Sequence, residues 1–80
     1  PSTPFFVRLR AVSAAAHYPT PATKTFLEAV ARAPGQRDLI VRRAIVALGE
    51  AFGADALASV RPYLAHSEPS VREGAARTIA

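Results

Sequence analysis

Two histidines, six carboxylates and nine arginines are the groups in this 80-residue chain that could do chemistry. Their spacing decides which of them can act together. His17 and His66 stand far apart, each close to a helix end and a proline-containing turn. A metal site needs several ligands at fixed spacing, and no cluster of His, Asp and Glu supplies them. Both histidines are therefore read as helix C-caps. Glu28, Asp38, Glu50, Asp55, Glu68 and Glu73 are scattered, and nothing brings two together for acid–base work. Ser13 lacks the strand–turn–helix setting of an activated serine. The stretch "GEAFGAD" has two glycines four apart, but it follows a helix instead of joining strand to helix, so it makes a poor phosphate loop. No catalytic residue, metal or cofactor is expected.

The arginines recur in related stretches, and they form the one candidate set: Arg8, Arg10, Arg42, Arg43, Arg72 and Arg77. All nine arginines and the one lysine outweigh the six acids and give a formal charge of +4. A basic balance favours acidic partners such as nucleic acid or anionic surfaces. Arginine in preference to lysine, with abundant alanine, is also what a GC-rich coding sequence produces. Charge alone therefore shifts the expectation only slightly.

Half the residues are apolar, and 18 of those 40 are alanine, which favours helix and close helix–helix contact. Large side chains are few, so thin layers of helices suit this composition better than one deep core. Zero cysteines exclude disulfides and thiolate chemistry and leave the compartment open, with a cytoplasmic setting the favoured expectation. No apolar run reaches the roughly 20 residues that span a bilayer, and no signal peptide opens the chain.

The start and stop signals are all helical. Thr3-Pro4 and Thr20-Pro21 each pair an N-cap with a proline at the first helical position. The first helix is expected to run to Tyr18, stopped by Pro19, with Val7, Ala11, Ala14, Ala15 and Tyr18 on its inner stripe. The second carries Phe26, Leu27, Val30 and Ala31 on one face and ends at Pro34-Gly35. The third runs from about Asp38 to Phe52 and closes at Gly53. Asp55 is read as the cap of a fourth, kinked at Pro62; Ser67 is read as the cap of a fifth. Ile45, Leu48 and Phe52 are expected to meet Val12, Tyr18, Leu27 and Leu57 in the core. The reading is all-α, with about five helices and no strand pattern.

The helices repeat. "VRLRAVSAAA" (7–16) and "VREGAARTIA" (71–80) share Val-Arg-x-x-Ala, and "IVRRAIVALG" (40–49) fits between them. That register aligns Ala11, Ala44 and Ala75; a shift of one residue aligns the Val-Arg pairs instead. Either way the spacing is about 30 to 34 residues, as repeat units require.

On these stretches, and on "HSEPSVREGAARTIA" in particular, the chain resembles HEAT-like repeats, the short bacterial type also called PBS-lyase HEAT-like repeats. The resemblance covers nearly the whole chain. It implies a right-handed α-α superhelix of about two and a half repeats, near residues 3–36, 37–66 and 67–80. Such a unit would be a piece of a longer array, or a chain that dimerises through its uncapped ends. HEAT repeats often place an Asp six residues before the signature Arg, in a ladder with neighbouring arginines. Here those places hold His66, and Gln36 or Arg37, so the ladder is not expected. A tetratricopeptide register built on Leu48-Gly49 fails, because its small residue falls on Arg61 and its proline on Glu73.

Arg8, Arg42 and Arg72 are assigned to the signature column with Ala11, Ala44 and Ala75, the one-residue shift in register leaving open whether Arg42 or Arg43 takes the middle place. Their expected role is structural, the stem along a neighbouring helix and the head on carbonyls or a carboxylate. Arg10, Arg43 and Arg77 fall outside that column and are the candidates for partner contacts. The function expected is non-enzymatic: a protein-interaction scaffold that uses one helix layer as its surface. Phosphate-backbone binding to nucleic acid is the first alternative. An accessory role beside a phycobilin lyase, implied by the family's other name, is the second.

Overall fold

The computed structural model of the chain describes residues 4–79, and all the regular structure among them is helical. Helices α1 (Phe5–Ala15), α2 (Pro21–Arg32), α3 (Asp38–Phe52) and α5 (Pro69–Ile79) are full length. Between α3 and α5 the chain makes a single α-turn, α4 (Leu57–Val60), flanked by 3₁₀ turns at Gly53–Ala56 and Arg61–Ala65.

Local signals explain most boundaries. Thr20 Oγ1 accepts the Thr23 N–H at 3.2 Å, and Pro21 opens α2 where its missing donor costs nothing. Gly53 closes α3 at φ +53°, its N–H donating to the Gly49 carbonyl. Asp38 stands in the first turn of α3, where its charge faces the positive end of the helix dipole.

Other boundaries differ from the sequence expectation. Thr3 lies outside the described residues, and Pro4 takes the capping position, not the first helical one. Helix α1 ends at Ala15 and unwinds through short bonds from His17 and Tyr18 to the Ala14 and Ala15 carbonyls. Tyr18 precedes Pro19, whose ring excludes the α conformation there. The expected fourth helix is mostly 3₁₀, because Pro62 lacks an N–H and crowds the carbonyl four residues back. Asp55 lies within a 3₁₀ turn and makes no side-chain cap. Ahead of α5 the Glu68 N–H donates to His66 Nδ1 at 3.0 Å, a role expected of Ser67.

Helix α3 is the centre of the molecule. It packs against α1 on one side and α5 on the other, while α2 and the 53–65 segment cover it. The Cα envelope measures 32 × 29 × 15 Å. A thickness of 15 Å fits two helix layers about 8–10 Å apart plus the helix radii. The core is Val12, Leu27, Ile40, Ala44, Ile45, Leu48, Val60, Val71 and Ala75, with smaller neighbours. No helix among the described residues is long and apolar enough to cross a membrane.

The inner stripe expected for α1 is a correction. Val7 is 53 % exposed and Tyr18 66 % exposed, and Ala11 and Ala14 also face water. Helix α1 instead turns Val12 inward, with Phe5, Ala15 and Ala16 packed beside it. It touches α3 on one flank and meets α2 only sparsely. Ala44 and Ala75 are fully buried, so Ala11 does not share their environment. Tyr18 leaves the predicted core for the same reason, and Phe52 and Leu57 are half-buried.

Candidate interaction surface

Arg8 and Arg42 each reach forward along the chain. Arg8 Nη1 donates to Gln36 Oε1 at 2.8 Å, 28 residues ahead. Arg42 Nη1 donates to the Ser70 carbonyl at 2.8 Å, also 28 residues ahead, and pairs with the Glu73 carboxylate. Each guanidinium thus spans from one helix to the chain around the start of the next helix in its layer. The stem of Arg42 crosses α5 at Gly74, where an added Cβ would lie 2.9 Å from Arg42 Cγ.

Arg72 turns back to the chain just before its own helix and donates to the carbonyls of His66 at 2.7 Å and Ser67 at 3.1 Å. His66 and Gln36 both stand six residues before an arginine. These are the places where an Asp ladder was not expected. An acceptor is nonetheless used at each, a backbone carbonyl at His66 and a side-chain amide at Gln36.

The arginines outside the column are not alike. Arg10 is exposed and makes no hydrogen bond or ion pair among the described residues. Arg77 is exposed on α5 and paired with Glu73 at 2.6 Å. Arg43 is half-buried: its Nε donates to Ser13 on α1 at 3.1 Å, and Nη1 lies 3.4 Å from Glu50. It ties α3 to α1, a tether that sequence spacing did not indicate. Between Arg42 and Arg43 neither is simply solvated, with side chains 28 % and 32 % exposed.

Two depressions flank α2. One, of about 310 Å³, lies between α2 and the 53–65 segment and is lined by Glu28, Arg32, Ser59 and Tyr63 over an apolar floor. Here Ser59 donates to the Glu28 carboxylate, and Lys24 pairs with it at 2.9 Å. The Ser59 hydroxyl first, then Lys24, hold the Glu28 carboxyl below its ordinary value of 4.5. A depressed carboxyl adds stability above its unfolded-state pKa, and that stability is lost as pH falls through the folded-state value. The melting temperature is therefore expected to drop as pH falls below about 4.5. Ser59→Ala should flatten that drop in a pH series of thermal melts; an unchanged slope would remove Glu28 as its source. Burial pushes the Tyr63 hydroxyl up, and nearby Arg32 partly offsets it.

The other depression runs along α1 and α2 on the far side of α2. It joins volumes of about 640 and 330 Å³ that share Arg8, Phe26 and Val30. Arg8 Nε is buried there and has no hydrogen-bond partner. An N–H left so costs on the order of 1–3 kcal/mol. Phe26, expected with Leu27, Val30 and Ala31 on one face of α2, is 42 % exposed here, and the sequence marks Gln36 only as a position where an Asp ladder is absent. The signal for Gln36 was present, since it occupies the ladder position six residues before Arg42.

The described residues contain no group of three or more His, Cys, Asp or Glu side chains that could hold a metal ion. The described residues thus form an all-helical protein in which Arg8, Arg42 and Arg43 join neighbouring elements. Comparison with protein-family models, curated proteins and solved structures finds no match to the chain.

Proposed function

We propose that the chain is a non-enzymatic protein-interaction module of HEAT-like repeats, wound as a right-handed superhelix. The observation that carries this reading is the pair of arginine contacts, Arg8 to Gln36 and Arg42 to Ser70, each spanning 28 residues. Two helices of one layer thereby use the same residue type at the same forward reach. That is the nearest-neighbour contact by which repeat units stabilise one another. A surface of this kind binds through area and shape, with Arg10 and Arg77 as its exposed charges.

Nucleic acid is the weaker reading, because Arg43 and Arg77 each lie beside a carboxylate, Glu50 and Glu73. Paired arginines release fewer counterions from a phosphate backbone than a bare basic ridge does. Binding of a short labelled duplex at low salt is expected to be weak. Its log–log salt slope should correspond to no more than about two phosphates; a steep slope would favour the nucleic-acid reading. The protein reading is tested by cross-linking capture with the native chain and with Arg10→Glu/Arg77→Glu. A protein captured at stoichiometric yield and lost on charge reversal is the expected result. Capture of nuclease-sensitive material alone, or of nothing, overturns it.

A further inference from the structure

From the groove between α1 and α2 we infer the chemistry of the partner: an amphipathic helix bearing one carboxylate among apolar residues, with Arg8 as its anchor. This rests on the protein-interaction reading and goes further, to the occupant of one site.

The groove is apolar along almost all its length. Val7, Ala11 and Val12 of α1 form one wall, and Phe26, Ala29 and Val30 of α2 the other. Val7 and Phe26 are 53 % and 42 % exposed, so the groove has no cover within the described residues. Arg8 is the single charged residue in its lining. Its Nη1 is committed to Gln36 and its Nε is buried, while Nη2 makes no hydrogen bond among the described residues. Nη2 is the donor left for a partner's carboxylate, in a charge-assisted hydrogen bond.

The contrast with Arg42 shows what is missing. Arg42 has a carboxylate partner, Glu73, 31 residues ahead. The residue 31 ahead of Arg8 is Leu39, which is exposed and cannot accept a bond. Among the described residues the only side-chain acceptor for Arg8 is a neutral amide. Nor does the surrounding sequence hold a spare acid. Arg8, Arg10 and Lys24 all precede Glu28, the first acidic residue in the chain. An incoming carboxylate therefore meets no acid in the groove lining and one guanidinium with Nη2 unpaired.

The groove also selects the occupant's backbone. Both walls are helices and present no strand edge, with the 33–36 turn closing one end, so an extended peptide would bury most of its own N–H and C=O groups without partners. A helix brings those groups satisfied. Ala11 and Ala29 on facing walls let such a helix approach closely, in the helix-in-groove manner. A phosphate backbone finds only one cation here, too few to hold it.

A displayed library of helical peptides with randomised face residues, selected against the full chain, tests the inference. Enriched peptides are expected to carry Asp or Glu at one fixed position flanked by apolar residues at helical spacing. Changing that acid to its amide should weaken binding by about tenfold or more, and Arg8→Gln should do the same. The two losses should not add, since both remove one contact. Gln36→Glu supplies a carboxylate within the chain. It should weaken acidic peptides by about tenfold and leave their amide forms unchanged; it also serves if Arg8→Gln impairs folding. Amide resonances of Val7, Ala11, Phe26 and Val30 should shift on binding. Enriched peptides without an acid, or indifferent to Arg8 and Gln36, overturn the inference; if they instead depend on Arg10 or Arg77, the protein-interaction reading survives without it. If selection yields no binder, the groove is not a helix site; the capture experiment then decides the broader reading separately.

Discussion

Ile45→Ala is expected to remove most of the stability of this chain. Ile45 is completely buried on α3, the helix that packs against α1, α2 and α5. Truncating a buried isoleucine to alanine costs about 2–5 kcal/mol, from lost transfer free energy plus the cavity left behind. A domain of 80 residues has a total stability of roughly 4–12 kcal/mol. One substitution can thus consume half or more of it. In a slab only 15 Å thick between Cα extremes, few atoms lie beyond the first contact shell to collapse into the gap. The midpoint of thermal unfolding should fall by roughly 10 °C or more. Leu39→Ala is the control: Leu39 is 52 % exposed on the same helix and should change stability by less than about 0.5 kcal/mol. Urea titration of the two variants beside the parent makes the comparison. A loss at Ile45 below about 1 kcal/mol would mean that α3 is not the shared core of its neighbours.

The position of Ile45 was legible because α3 carries an unbroken helical period, bounded by Asp38 and Gly53 and continued by Ile40, Ala44 and Leu48. The same held for α2, where Thr20-Pro21 and Leu27 fixed both start and inward face. It failed on α1 because Val7, Ala11, Ala14 and Tyr18 form as clean an apolar stripe as Val12 with its neighbours. Periodicity says that a face is apolar, not that something covers it; here one face packs on α3 and the other stands in water. It failed again after Gly53, where a Pro62 read as a kink converts the following turn to 3₁₀. The signature arginines were legible as a set, and their acceptors were not. Gln36, Ser70 and the His66 carbonyl lie at turns around the starts of α3 and α5. Which polar group a long side chain meets there depends on how two helices are offset, information that composition and period do not carry. The Arg8 Nη2 left unpaired among the described residues is of that kind too, since it arises from a glutamine and a leucine where Arg42 meets a carboxylate.

The close approach of α3 and α5 makes the second large prediction, and its sign depends on one methyl group. Gly49 lies within α3, and a Cβ built there would sit 2.3 Å from Thr78 Cγ2 on α5. In an unobstructed helix, Gly→Ala gains up to about 1 kcal/mol from helix propensity. Here the methyl must displace Thr78, whose Oγ1 donates to the Gly74 carbonyl at 2.7 Å. Threonine is β-branched and has few χ1 rotamers in a helix, so turning Cγ2 away also disturbs that hydrogen bond. If the side chain stays, the two helices must separate, and Leu48, Val71 and Ala75 lose packing with them. Overpacking of this sort costs about 1–3 kcal/mol, which exceeds the propensity gain, so Gly49→Ala alone should destabilise. Thr78→Ser removes Cγ2 while keeping the hydroxyl and its bond. In that background the same Gly49→Ala should become neutral or stabilising by up to about 1 kcal/mol. The expected coupling between the two sites is therefore about 1 kcal/mol or more, read from chemical denaturation of the parent, both single variants and the double. Independent, additive effects would show that α5 does not rest on α3 at Gly49. A Gly49→Ala variant more stable than the parent would show that Thr78 yields without cost.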